Sequence, residues 1–521
     1  MQSRRDQVQA HMFLASRMSA AMLRAEPDAP DHPTGRNWRG AVGGLVLAVL
    51  IGVGVGIYGL VVPEGDGSWA TAGAFVVVED SSARYLYAGG ALHPVLNQAS
   101  AKLIAGDGMS THTVSAADLS GTPHGDPFGI VGAPDALPGE GSFYGGSWSA
   151  CAAPSSTGGA DADAKGDAPA GALGLTVGTV AGARGLADGE GVLVASPSGG
   201  TQLLYGGRRF RLDAASGAAD ALSWPAEDAA AVDDALLDTL TAGPDIAVPP
   251  VSGRGRPGPK LDGATTRYGQ LFTGPGGRRY LLREDGLVEL TGLLYDLVRG
   301  DPKTQSQAYG GGAVAPGTVG AADLVAHRAP AATAAALAQG LPPTAPRLVA
   351  AAGRAVCATA EPRAGKAPAV SVALAPAASV ASGAPAVQPG VRAGCLAADR
   401  VSVPAGKGVR VRAVSASGGG GSDYLVTDAG VLYPLPTGAA KTLGYDGVAQ
   451  VGLPASWLEL LPAGPALDAA ELADGGIVRA ATGPATPDGC AAVTAGAGAG
   501  DTGRDGRDGR GAPAGKPSGK P

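Results

Sequence analysis

Large aromatic side chains are scarce in this chain, whose 521 residues include 6 Phe, 5 Trp and 12 Tyr. Any core must therefore be built mainly from Ala, Val and Leu. Charge is sparse too. Only 16% of residues are charged and the formal net charge is −7, which offers polyanions no general attraction and argues against nucleic acid as a partner. Nucleotide and nucleophile motifs are missing. Lys366, Lys407 and Lys516 each follow a glycine, but none is followed by the Ser or Thr of a phosphate-binding loop, and no GxSxG elbow occurs. The four cysteines include no CxxC pair, so a zinc site is poorly supported. What is abundant is backbone punctuation. The 86 Gly and 41 Pro make up about a quarter of the chain, near the level at which unperiodic composition means disorder. A hydrophobic content of 45% opposes a wholly disordered chain, and the length leaves room for about three or four domains.

No charged residue lies between Arg39 and Glu64. The run from Gly40 to Val62 would measure about 35 Å as a helix, against a hydrocarbon core of about 30 Å. A cleaved signal peptide is excluded, because the run starts too far from the N-terminus and Pro63-Glu64-Gly65-Asp66 is no cleavage site. The segment reads as a permanent transmembrane helix over 40–62. Arg4, Arg5, Arg17, Arg24, Arg36 and Arg39 precede it, and the first charges after it are Glu64, Asp66, Glu79 and Asp80. The positive-inside rule then puts residues 1–39 in the cytoplasm and everything from 63 onward outside the cell membrane. Gly40, Gly44, Ala48, Gly52 and Gly56 form a small-residue stripe that suits close packing by a second helix. The GxGxxG at 54–59 lies inside this span and is no nucleotide loop. Ahead of it, residues 3–26 lack Gly and Pro, and Val8, Met12, Ala15, Met18 and Met22 recur at helical spacing. This amphipathic arm wants a cover, either a partner subunit or the lipid surface.

Beyond the span the pattern is that of strands. Phe75–Val78, Arg84–Tyr87 and Ala91–Pro94 form one hairpin group around Gly89-Gly90, and similar hairpins recur at 203–212, 280–290 and 424–435. A second element follows two of them: LLDTLTAGP at 236–244 resembles LELLPAGP at 458–465. Repetition of this sort implies units that cover one another's apolar faces. Residues 158–171 and 362–389 read as linkers by composition, with 370–374 able to add an edge strand. From 481 to 521 the chain reads as a disordered Gly/Arg/Asp/Pro tail.

Cys151, Cys357, Cys395 and Cys490 all fall on the outer side, where disulfides form. Three pairings are open. One joins Cys151 to Cys357 and leaves Cys395 with Cys490, although Cys490 is close enough to the tail to be free. A Cys151–Cys357 bond would close a loop of about 206 residues, worth at most roughly 5 kcal/mol by chain entropy. GRGRPG at 253–258 matches a dinucleotide fingerprint by letter but follows two prolines, not a strand. His112, His124 and Asp126 sit in a polar loop, and His93 reads as structural. No nucleophile is assembled with a base.

Several strings carry a resemblance. They are SRRDQVQAH at 3–11, RYLY at 84–87, LHPVLNQASAKL at 92–103 and IVGAPD at 130–135. Further on come WSAC at 148–151, PPVSGRG at 249–255, AADRVSVP at 397–404, YLVTD at 424–428 and LLPAGPALD at 460–468. In this order they resemble EccB, the single-span membrane component of type VII secretion systems. The resemblance implies an elongated, mainly β (α+β) outer domain over 63–480, with repeated hairpin/short-helix units in pseudo-twofold fashion about a central core. It also implies a core disulfide at Cys151 and Cys357, self-association of the outer domain, and EccC (the motor), EccD and EccE as partners. The insert at 362–389 and the tail depart from the family pattern. The family's frequent ATPase label has no motif behind it here, so no cofactor is expected unless that label holds.

The resulting expectation is a structural membrane subunit that ties cytoplasmic subunits to an outer assembly. The alternatives are an extracytoplasmic nucleotide hydrolase and a cell-wall binding module. Protease added to intact cells should degrade the body beyond residue 63 and spare residues 1–39; a shielded body would overturn this topology.

Overall fold

The computed structural model describes residues 4–24, 33–61, 67–154, 171–225, 228–363, 366–380, 388–394, 396–415 and 420–479. All but the last residue of the linker read at 158–171, the tail read at 481–521, Cys395 and Cys490 lie outside them. The chain clusters into two compact units. One comprises residues up to Leu92 together with Thr111–Pro123, and the other comprises His93–Ser110 and everything from His124.

The first unit begins with α1 (Arg4–Arg24) and α2 (Pro33–Val61). Helix α2 starts seven residues before the expected span because Arg36 and Arg39 are as compatible with a helix as the apolar run is. It contains an apolar stretch, Trp38–Ile57, which is long enough to cross a membrane, and Leu45, Leu50 and Val55 on it are exposed. Next come β1 (Ala74–Val78), β2 (Arg84–Ala88) and β3 (Ala91–Pro94). After α3 (Gln98–Ala105), β4 (Thr111–Val114) returns to pair parallel with β1, giving the order β3-β2-β1-β4. Trp69, Val76, Val78 and Leu92 form a small core on this sheet.

The second unit continues through β5 (Gly129–Ile130) into a central sheet, beginning with β6 (Trp148–Ala152), β7 (Leu173–Val177) and β8 (Arg184–Gly185). The second repeat has β9 (Glu190–Ser196), β10 (Gly200–Tyr205), β11 (Arg208–Arg211), α4 (Ala218–Ala221) and β12 (Ala230–Ala231). It ends with α5 (Asp234–Asp238) and β13 (Thr241–Ala242). The third has β14 (Leu271–Thr273), β15 (Arg279–Arg283), β16 (Gly286–Glu289), α6 (Gly292–Gly300) and β17 (Gly317–Thr318). Helices α7 (Ala321–Ala326) and α8 (Ala331–Ala338) then lead to β18 (Arg347–Leu348), which pairs with β9. Strands β19 (Arg354–Arg363), β20 (Lys366–Pro376) and β21 (Arg400–Ser402) complete the central sheet, in the order β21-β7-β6-β19-β20-β8. The fourth repeat follows with β22 (Val409–Val414), β23 (Gly420–Val426), β24 (Leu432–Leu435), α9 (Ala439–Thr442) and β25 (Val451–Pro454). Helix α10 (Ala455–Leu458) and β26 (Ile477–Val478), which pairs with β5, end the described chain.

All four repeats share one topology: three antiparallel strands, a helix, then a strand parallel to the first. The hairpins expected at 203–212, 280–290 and 424–435 are the second and third strands of these units. The first strands β9, β14 and β22 precede these hairpins, and the fourth strands β12 and β17 are only two residues long.

The insert expected at 362–389 differs from its reading. Residues 366–376 form β20, an interior strand between β19 and β8, with Val372, Ala373, Leu374 and Ala375 buried. Residues 381–387 lie outside the described ones.

Burial explains how the repeats join. One face of the central sheet, with Trp148, Leu175, Val356 and Leu374, shares a core with Val192 and Leu237 of the second repeat and Val411 and Leu461 of the fourth. Leu203 and Phe210 on the opposite face of the second repeat share another core with Leu281 and Leu297 of the third. Adjacent Leu203 and Leu204 thus enter different cores, as expected for a sheet covered on both faces. Helices α4 and α6 pack together, and so do α3 and α9.

Two polar contacts lock these joints. Trp457 Nε1, fully buried, donates to the Thr239 carbonyl at 3.1 Å, tying the fourth repeat to the second. The Glu190 carboxylate joins three segments, accepting from Ala187 N at 3.0 Å, from both terminal nitrogens of Arg184 at 3.1 Å, and from Arg347. The Ala187 N–H holds that carboxyl below the usual carboxylate range against the opposing effect of burial, and the Arg184 and Arg347 cations help.

Trp457→Ala should lower the unfolding free energy of the purified outer body by about 3–5 kcal/mol in denaturant titrations. The folded carboxyl of Glu190 titrates lower than the unfolded one, so its contribution is complete above the unfolded value and lost as pH falls through the folded value. Glu190→Gln should therefore be the less stable protein at pH 7, with the difference shrinking as pH falls below the carboxylate range; thermal melts across pH test this.

Candidate functional site

Cys151 and Cys357 are direct partners on neighbouring antiparallel strands β6 and β19, and their sulfurs are bonded with a Cα–Cα distance of 4.0 Å. Both are buried, in a small cluster with Val180, Ala355, Ala373 and Val380 on the sheet face opposite the main core. The bond joins the two middle strands of the six-stranded sheet, and the second and third repeats lie between its ends in the chain.

The Leu-rich elements at 236–244 and 458–465 meet at the centre of this unit. In each, the chain after the short helix runs parallel to the third strand of its repeat, pairing Ala242 with Arg209 and Ala463 with Leu432. A glycine follows in both. A Cβ on Gly243 would stand 2.3 Å from the Phe210 ring, and one on Gly464 would stand 2.2 Å from the Tyr433 ring, so only glycine lets the aromatic lie flat on the backbone. The same device recurs in the first repeat, where a Cβ on Gly125 would meet His93 at 2.2 Å. His93 is thus structural, with Nδ1 3.2 Å from the Asp126 carbonyl oxygen.

The loop at 253–258 follows Pro249-Pro250 and carries Arg254 and Arg256. Arg254 is spent on a buried pair with Asp301, whose carboxylate also accepts from Lys303 N at 2.9 Å and Thr304 Oγ1 at 3.0 Å. His112 and the His124–Asp126 pair fall in different units. Among the described residues no group of three His, Cys, Asp or Glu is placed to hold a metal ion. Burial pushes the Tyr433 phenol up to about 12, against the hydrogen bond from Gln388, and burial raises Tyr445 as well.

On α2, Gly40, Gly44, Gly52 and Gly56 face open space, and Ala48 lies on the same exposed helix. On α1, Val8, Met12, Met18 and Met22 are exposed, as are Phe13, Leu14 and Leu23. Sequence reasoning missed Glu190, Trp457 and Thr239. The repeated Leu-rich string marked the neighbourhood of the last two, whereas Glu190 meets its partners only through the fold.

Among the described residues one apolar helix is long enough to cross a membrane, and with the strand-dominated α+β repeats that follow it fits the class of single-span, repeat-built membrane proteins. The chain belongs to the family described as type VII secretion system ESX-1, transport TM domain B, whose model matches residues 1–477. Among curated relatives, the Mycobacterium tuberculosis protein named ESX-5 secretion system ATPase EccB5 is 27% identical over 311 residues, covering 57% of this chain and 59% of the relative. ESX-1 secretion system ATPase EccB1 of the same species is 34% identical over 134 residues, 25% of this chain and 27% of the relative. The match to EccB5 thus spans less than two thirds of that protein's length. A chain in the solved intact ESX-5 inner membrane complex is similar with a TM-score of 0.58 and 25% identity, covering 93% of this chain and 97% of that one. The EccB3 dimer from the ESX-3 core complex gives a TM-score of 0.55 at 26% identity, covering 76% and 98%.

Replacing both Cys151 and Cys357 with Ala should cost about 2–5 kcal/mol of stability, read as a lower denaturation midpoint of the outer body under non-reducing conditions. An unchanged midpoint would show that the sheet holds without its covalent tie.

Proposed function

We propose that this chain is a structural membrane subunit of a type VII secretion complex, connecting cytoplasmic subunits to an extracytoplasmic assembly through one helix. The single observation that carries the reading is that α2 lies between an arm with exposed apolar side chains and a body of repeats and a central sheet. An arm with exposed Met and Leu side chains calls for a partner. The basic residues before α2 favour a cytoplasmic N-terminus and an outer body. EccC, EccD and EccE are the proposed neighbours. The outer body associates with its own kind, as its relative does in the EccB3 dimer. Lipid and the small-residue stripe from Gly40 to Gly56 set the packing of α2.

Removal of residues 1–39 tests this. The detergent-solubilised complex should lose the EccC motor and cells should stop exporting, while the outer body keeps its disulfide. A complex of unchanged composition with normal export would overturn the reading. ATP turnover by the purified outer body, abolished by a point substitution, would instead favour the hydrolase implied by the relatives' names.

A further inference from the structure

We draw no further inference here: the strongest candidate, the cavity of about 440 Å³ where β12 and β18 part along the edge of β9, lined by Ala152, Ala230, Ala351, Gly353 and Arg354, carries nothing because its rim residues Pro154 and Asp228 adjoin segments outside the described residues and nothing in the structure shows what covers it.

Discussion

The second unit depends on covering one face of the central sheet. That face presents Trp148, Ala150, Leu175, Val356, Ala358 and Leu374, and a single layer of such side chains cannot exclude water without a cover. The cover comes from two sides, with the Leu-rich turn of the second repeat and that of the fourth meeting over it. At roughly 25 cal/mol per Å² of apolar area, such shared burial is the largest favourable contribution available to a chain with so few aromatics. The hydrogen bond from Trp457 to Thr239 adds direction to a cover that apolar contact alone leaves unoriented.

Seen from that face, the other contacts fall into order. The second repeat is the hub, because its sheet is apolar on both sides, giving Val192, Val194 and Leu204 to one core and Leu193, Leu203 and Phe210 to the other. The third repeat reaches the central sheet only through it in these shared cores. Glu190 and the Cys151–Cys357 bond hold the margins and middle of the assembly, the first by charge and the second by a covalent link.

Much of this was legible in the residues. The long uncharged run specified α2, and the Gly-punctuated apolar pairs specified the second and third strands of each repeat. The fourth strands were not legible. Ala230–Ala231 and Gly317–Thr318 are two-residue pieces with no apolar alternation, defined by the parallel partner they meet. Residues 366–376 misled for a related reason. Alanine and proline signal a linker when read alone, yet here they pair along β19 in antiparallel register, a partner that local composition does not reveal. Where the letters of a nucleotide loop occur, Arg254 and Asp301 form a buried ion pair that the residues alone did not foretell.

The disulfide imposes an order on how the protein is made. Synthesis runs from the N-terminus, so the thiol of Cys151 waits while 206 positions are added before its partner exists. Everything between them, including the complete second and third repeats, has been polymerised by then. The seal thus cannot close before the second and third repeats exist as chain, whereas the fourth repeat, which begins at Val409, is still to come when Cys357 is added.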